Sequence, residues 1–600
     1  MRINIQRNKK ISKICLCLLT PLFLTLSFPK FDLFLLGWIA LVPLLLVVIG
    51  MGWFKSFVLS WIIGVLSFMG IFAWINQVKG FTFIHFLLLG LYLGIYFGIF
   101  GSMVHLFDHT KVSYPILVAL IWVCLEYLRS HFFFLALPWA LLGHSQYKNI
   151  NLIQCASFTG VYGISFLMAL VNASLAVFLY RISLYRISLH LRPASPSPFP
   201  SPPRGTFVLQ RRMANKRRFN DLFGDLLYLW PVLFVILLSL WGKSVSENGD
   251  RTQGEQAGKI RVGLVQGNIP QEIKWEKQTI TFTIDQYESL TKKVAREQPA
   301  LIIWPETAVP IDFRSYPTKL WRILGLARSI KTPLICGAAG SAKFGRAGNK
   351  PDGTDGMYNS AFYISAEGTV IGEYRKIKLL PFGEYLPSLG RLSLSTFFPK
   401  LGTRFLSGEK VKVFPLPEGA SLRKESFGIT MCWENIFPDL FRKFVLHGAS
   451  FMVNISNDGW FKDSAGPYQH LMCNVFRAVE NRISIARAGN TGISCFISPF
   501  GRIMRKVTDE RENDLDITGV AAEDLPGYQG PTFYTRYGDV FIFACIALLI
   551  LSIFCQMIRN LLIGKYKKAH QGMQGMGTDL KCEMRDDIPF LYVPFFTPVP

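Results

Sequence analysis

Three side chains at the ends of apolar runs are of the types that covalent acyl transfer needs. Cys432 lies in FGITMCWENIFPD, Glu306 in LIIWPETAVP and Lys376 in EYRKIKLLPFGEYLP. A thiol becomes a strong nucleophile once its proton is removed, and a carboxylate can remove it. An ammonium can hold the oxyanion that forms when the thiol attacks a carbonyl. Cys432 follows a strand-like run and precedes CWENIFPD, where a helix can begin; outward-pointing N–H groups there favour thiolate and oxyanion. Trp433 and Glu434 adjoin it. Pro305 fixes the backbone before Glu306. Glu384 in PFGEYLP is placed to orient Lys376, whereas Lys378 reads as an exposed strand-end lysine. Two nearby histidines, His447 and His470, are alternative bases for the thiol, and neither is excluded by sequence. Cys336, Cys473 and Cys495 read as buried structural cysteines. The 11 cysteines include no CxxC pair, so no metal site is expected.

These residues belong to a hydrophilic module with α/β character. IRVGLVQGNI (260–269), ALIIWPE (300–306), PLICGAA (333–339), NSAFYIS (359–365), FGITMCW (427–433) and SFMVNIS (450–456) are short apolar strand candidates. The stretches 280–298 and 467–486 have helical periodicity, and GISCFISPFGRIM (492–504) reads as two strands around a Pro/Gly turn. Alternation of strands with helices points to a layered α/β fold.

The rest of the chain is of a different kind. Hydrophobic residues make up 50% of the 600 and charged residues only 17%, too little charge for a wholly water-facing surface. Apolar runs near 11–28, 32–50, 56–76, 83–104, 114–135, 158–180, 222–241 and 539–558 approach the length of about 20 residues that a membrane span requires, giving about eight spans. The first is read as a span and not a signal peptide, because no small-x-small cleavage site follows it and a second apolar run begins at once. Glu126 and Arg129 sit at i and i+3 near the end of the fifth run, where charge is costly; pairing with each other, an interfacial position or a lipid-headgroup role would each account for them.

The net charge of +24 sits largely beside apolar runs, which favours a membrane surface over nucleic acid as partner. Arg2, Arg7, Lys9, Lys10 and Lys13 precede the first run. The 181–221 segment is Arg/Lys-rich with Asp221 as its sole acid, and carries the Pro/Ser-rich ASPSPFPSPPRG; it reads as a mobile connector. Arg559, Lys565, Lys567 and Lys568 follow the last run. With seven spans before the module and one after it, all three basic segments fall on one side, the cytoplasm. The expected organisation is an N-terminal membrane part over 1–241, an extracytoplasmic module over 242–538, a span over 539–558 and a cytoplasmic tail over 559–600.

Glu, then Lys in Y-x-K, then Cys is the catalytic order of the nitrilase (carbon–nitrogen hydrolase) superfamily. The flanking apolar runs narrow the resemblance to its membrane-anchored apolipoprotein N-acyltransferase family. LVQGNIPQEIKWEK, LIIWPETAVP, YRKIKLLPFGEYLP, MCWEN and ISNDGWFKDSAGPYQH carry the likeness in the module, and LPWALLGHSQ (137–146) carries it in the membrane part. It covers nearly everything between the first and last runs, leaving out the 181–221 connector and the residues after 570. The resemblance implies an α-β-β-α sandwich and a catalytic triad at Glu306, Lys376 and Cys432. It implies supporting roles for Glu384, Glu434 and Trp433, and a substrate-entrance role for Trp275. Trp433 departs from the pattern, since family members more often carry Tyr or Phe there. The implied reaction is ping-pong: an acyl chain passes from a membrane phospholipid to Cys432, then to the α-amine of a diacylglyceryl-modified apolipoprotein, at the outer face of a bacterial inner membrane and with no cofactor. Two other readings remain at this level: a membrane-tethered amidase or nitrilase with water as acceptor, and a transporter or scaffold carrying an inert nitrilase-like domain. The intact triad and the lack of Gly/Pro-broken helix pairs argue against the last.

Overall fold

The computed structural model describes residues 2–190, 226–255, 258–274, 276, 278–312, 316–341, 356–389, 392–393, 405–417, 425–528 and 530–575. Trp275 and residues 191–221 of the basic connector lie outside them; residues 181–190 continue the helix Ala156–His190.

The module is two mixed sheets face to face with helices outside. The first sheet runs, in spatial order, Gly519–Pro526, Lys259–Gln266, Leu301–Ile303, Leu334–Ser341, Met357–Ile364 and Val370–Arg375, with Val309–Asp312 paired onto Leu334–Ser341. The second runs Ile503–Lys506, Cys495–Ile497, Ser484–Gly489, Phe451–Ser456, Ser426–Met431 and Val413–Pro415. Central strands are parallel and outer pairs antiparallel in both. Central strands are covered on both faces, which is why FMVNIS and FGITM read as unbroken apolar runs. Tyr363 of the first sheet meets Phe427 of the second edge-on at 5.0 Å between ring centroids, so the sheets share one core. The helix Thr279–Ala295 turns Ile280, Ile284, Tyr287 and Val294 onto the first sheet, and Pro317–Ile330 adds Ile323, Leu324 and Ala327. Pro438–Leu446 and Gly466–Asn481 cover the second sheet.

Gly466–Asn481 starts with Pro467 in its first turn, ends at Arg482 in left-handed backbone (φ 51°), and is buried over its whole length apart from Tyr468. The sheet covers one face and the N-terminal helical part covers the other. Gln469 donates to the carbonyls of Pro29 and Ile71 and accepts from Trp74 Nε1, and Glu480 accepts the N–H of Val161. That N–H is free because the helix Ala156–His190 kinks at Gly160, whose φ is 63°.

In the helical part, Trp53–Ile71 and Phe83–Met103 pack closely through small residues. A Cβ on Gly94 would meet Val65 Cγ2 at 2.7 Å, so only glycine permits that approach. Among the described residues five helices are long and apolar enough to cross a membrane: Trp53–Ile71, Phe83–Leu106, Ala156–Ser183, Leu227–Gly249 and Val540–Lys565. The run at 32–50, clear as a span in sequence, is instead a turn of 3-10 helix at Phe34–Trp38 followed by a seven-residue helix Val42–Val48, too short to cross. The run at 114–135 is the 18-residue helix Tyr114–His131, interrupted by charge at Glu126 and Arg129. The helix Trp230–Glu255 extends past residue 241 toward the module.

Candidate active site

Glu306, Lys376 and Cys432 come from the ends of three separate strands. Glu306 follows Leu301–Ile303 and is 5% exposed. Its Oε1 accepts from Asn359 Nδ2 (2.8 Å) and Lys376 Nζ (3.2 Å), and its Oε2 from the N–H of Asn457 (3.0 Å). Lys376 follows Val370–Arg375 and is 1% exposed. Its ammonium also bonds Glu384 Oε1 at 2.9 Å. Glu384 is held in turn by Asn359 Nδ2 (2.9 Å) and the N–H of Leu380 (2.8 Å). One lysine therefore lies between two carboxylates, and one asparagine amide bridges the same pair. Burial disfavours the Lys376 charge, but Glu306 and Glu384 outweigh it and hold the amine well above its usual range: it is an ammonium.

Cys432 follows Ser426–Met431 and opens the helical stretch expected from sequence as a five-residue 3-10 turn, Cys432–Ile436, with the α-helix Pro438–Leu446 after it. Its backbone is left-handed, with φ 51°, an uncommon state for a residue with a Cβ that stores on the order of 1–3 kcal/mol. A sharp strand-to-turn reversal of this kind presents the thiol at the strand end. Burial pushes the Cys432 thiol up, the Glu306 carboxylate adds to that, and Lys376 pulls it back only in part. The resting sulfur is a protonated thiol, so attack requires a base.

Glu434 acts through the backbone. It accepts from the N–H groups of Ile377 (2.7 Å), Met431 (2.8 Å) and Lys378 (2.9 Å), and from the Tyr374 hydroxyl at 2.9 Å. Burial raises it to about 7, with the N–H donors of Lys378 and Met431 pulling the other way. It ties the turn after Lys376 to the residue before Cys432. Trp433 does the same through its Nε1, which donates to the carbonyl of Lys378 at 2.7 Å.

His447 is exposed and bonded to the Lys443 carbonyl at its helix end. His470 lies beside the nucleophile: a ring nitrogen, the Cys432 sulfur and an Asp458 carboxylate oxygen are all within 4.8 Å of one another. Cys336, Cys473 and Cys495 are fully buried free thiols, as expected. Glu126 and Arg129 turn to the backbone that follows their helix. Arg129 donates to the carbonyls of Leu137, Trp139 and Ala140, and Glu126 accepts from Leu142 N–H and Trp122 Nε1.

Sequence reasoning missed three contributors. Asn359 lies in NSAFYIS, read only as a strand, and Asn457 lies in ISNDGWFKDSAGPYQH, where the family likeness was its one signal. Lys274 is fully buried with Nζ 3.4 Å from the carbonyl oxygen of Glu306, and burial lowers it to about 7 against the pull of the Glu306 charge. It sits in LVQGNIPQEIKWEK, and the family likeness carried by that stretch was its only signal.

The two-sheet sandwich that brings a lysine between two carboxylates beside a strand-end cysteine is a carbon–nitrogen hydrolase domain by its match to that family's model, and it is joined to a bundle of apolar helices. The carbon–nitrogen hydrolase family model matches residues 261–528, and the apolipoprotein N-acyltransferase N-terminal domain model matches residues 21–174. The apolipoprotein N-acyltransferase of Geobacter metallireducens is 35% identical over 544 residues, covering 89% of this chain and 93% of its own. That of Rickettsia bellii is 27% identical over 506 residues, covering 82% and 85%. Among solved structures, a Nesterenkonia amidase from the nitrilase superfamily matches 47% of this chain and 94% of its own at 18% identity and a TM-score of 0.33. The chain belongs to the apolipoprotein N-acyltransferase family.

Proposed function

We propose that this protein moves an acyl chain from a membrane phospholipid to the α-amine of the diacylglyceryl-modified N-terminal cysteine of apolipoproteins, through a thioester on Cys432. The observation that carries the reading is the buried Glu306–Lys376–Glu384 cluster, whose charges act on the protonated thiol of Cys432.

Glu306 takes the thiol proton as the sulfur attacks an ester carbonyl of the phospholipid. Lys376 and the backbone N–H of Trp433 hold the oxyanion; losing one such donor costs about 3 kcal/mol of barrier. The ester C–O bond breaks, the proton on Glu306 passes to the leaving alkoxide, and lysophospholipid departs. The free α-amine then attacks the thioester, Glu306 accepts an amine proton, and the C–S bond breaks to leave an amide and the regenerated thiol. Thioester to amide runs downhill, so atoms, charge and energy balance without nucleotide or metal. Glu384 keeps Lys376 in place, Glu434 and Trp433 hold the turn around the nucleophile, and the resemblance assigns Trp275 to the substrate entrance.

Both substrates are lipid-anchored, which is why the site belongs on a chain with bilayer-crossing helices. Basic segments at 181–221 and 559–568 are each one candidate span, Leu227–Gly249 or Val540–Lys565, away from 242–538, and they support a cytoplasmic side for themselves and a periplasmic side for 242–538 of an inner-membrane protein. Protease added to spheroplasts should then cut within 242–538; cleavage only after membrane lysis reverses the orientation.

Cys432→Ser should still insert in the membrane while losing both the acyl adduct and transfer. Intact-mass measurement after incubation with phospholipid should find one acyl group on the wild-type protein, released quickly by a lipoprotein-like N-terminus and slowly by water. Rapid release by water alone would instead assign a hydrolase.

A further inference from the structure

The motifs LPWALLGHSQ, ISNDGWF and GPYQH meet behind the nucleophile, and the acyl-transfer steps above use none of them. His470, from the helix Gly466–Asn481, is fully buried. Its Nδ1 lies 2.9 Å from Asp458 Oδ1, an oxygen that also accepts from Ser456 Oγ at 2.7 Å. Arg487 holds the other oxygen of Asp458 at 2.6 Å and also bonds Asn454 Oδ1; Asn454 Nδ2 reaches the backbone carbonyl of Cys432 at 3.4 Å. The other side of the imidazole is covered by the helical part. The Trp139 ring stacks on it with centroids 5.3 Å apart and planes 25° apart, and Trp74 and Phe461 close around Trp139. Trp139 is fixed by its own carbonyl, which takes a 3.0 Å bond from the buried Arg129.

Cys, Asp and His at this spacing also have the types of a metal site. Arg487 decides against that: its guanidinium lies 2.6 Å from Asp458 and 3.1 Å from His470 Nδ1, where a cation would have to sit. Burial works against charge on Asp458, but Arg487 and His470 hold it well below the usual carboxylate range. The anion is already neutralised by a fixed cation.

We infer that His470 is a positioning residue for Cys432, clamped between Asp458 of the module and Trp139 of the helical part, and that the nucleophile turn is therefore held in its left-handed conformation by the membrane half of the molecule. A strained backbone persists only where its surroundings over-determine it. Here the surroundings include a side chain of the other half.

The inference uses the proposed reaction for one assay only; a second assay needs no lipid. In the full-length protein, the rate of Cys432 alkylation by iodoacetamide and the rate of thioester formation from phospholipid are measured for Trp139→Ala, His470→Ala and the double variant. Each single variant should slow both rates about tenfold, with the phospholipid KM unchanged. The double variant should be no slower than His470→Ala, because Trp139 acts through His470 and their effects are coupled. Trp139→Phe keeps a ring and His470→Gln keeps an amide toward Asp458; each should recover most of the loss, and both remain informative if the alanine variants do not fold. Alkylation at the wild-type rate in Trp139→Ala or His470→Ala, losses that multiply in the double variant, or rates in Trp139→Phe and His470→Gln that stay about tenfold below wild type overturn the inference. Slowed alkylation in a protein whose wild type forms no thioester would uphold the positioning and sink the acyl-transfer reading instead.

Discussion

At the scale of single residues, the site is a problem in placing charge without water. Glu306, Lys376 and Glu384 form a buried or nearly buried triplet in which every carboxylate oxygen named above has a donor, and only such completeness makes burying three charges tolerable. Lys274 adds a fourth ionisable group, and it is the one that gives way. Its amine keeps a proton up to about 10.5 in the unfolded chain but only to about 7 in the folded one. Between those values the unfolded chain binds more protons, so this residue makes stability rise with pH over that window. Lys274→Met should remove that contribution. The unfolding midpoint of the wild type should rise relative to that of the variant between about pH 7 and about pH 9; parallel midpoints would mean that the amine titrates normally.

At the scale of elements, the working parts are strand ends and the turns that follow them. The Cys432–Ile436 turn is too short to be stabilised by its own ladder, so Glu434 supplies the order by gathering the N–H groups of Met431, Ile377 and Lys378 with the Tyr374 hydroxyl. Glu434→Ala leaves these buried donors without their acceptor and should cost about 3 kcal/mol. It should also move the Lys376 turn away from Cys432, so thioester formation should fall further than the loss of folded protein explains. Denaturant titration alongside the acylation rate separates the two; an unchanged midpoint would remove Glu434 from this role.

For the whole molecule, the notable element is Gly466–Asn481, which carries polar groups into contact with both halves. Arg477 bonds Glu480 at 2.7 Å and the carbonyl of Ile436 at 3.1 Å, and Glu480 in turn accepts the N–H of Val161 released by the Gly160 kink. The end of the nucleophile turn is thus joined through one buried ion pair to a candidate membrane span. Glu480→Ala strands a buried guanidinium and should cost about 4 kcal/mol. Thermal unfolding in detergent should find the variant strongly destabilised, and a midpoint near the wild-type value would show that the pair does not join the halves.

The sequence alone determined which chemistry-bearing groups to look for and what kind of element carries each. Glu306, Lys376 and Cys432 are readable because an ionisable residue ending an apolar run marks a strand end, and the long apolar runs are readable because lipid-length helices need composition and little else. Only the tertiary structure decided what lies around them. Asn359, Asn457 and Lys274 show no role of their own in sequence, and they matter because distant segments bring the two asparagines against the Glu306 carboxylate and Lys274 against the Glu306 carbonyl. His470, which the sequence left open as a base, is found stacked against a tryptophan from the other half of the chain, a neighbour that no spacing announces. The run at 32–50 breaks into a turn and a short helix although its composition fits a span, because packing against the rest of the helical part, which hydropathy does not encode, sets where a buried helix ends.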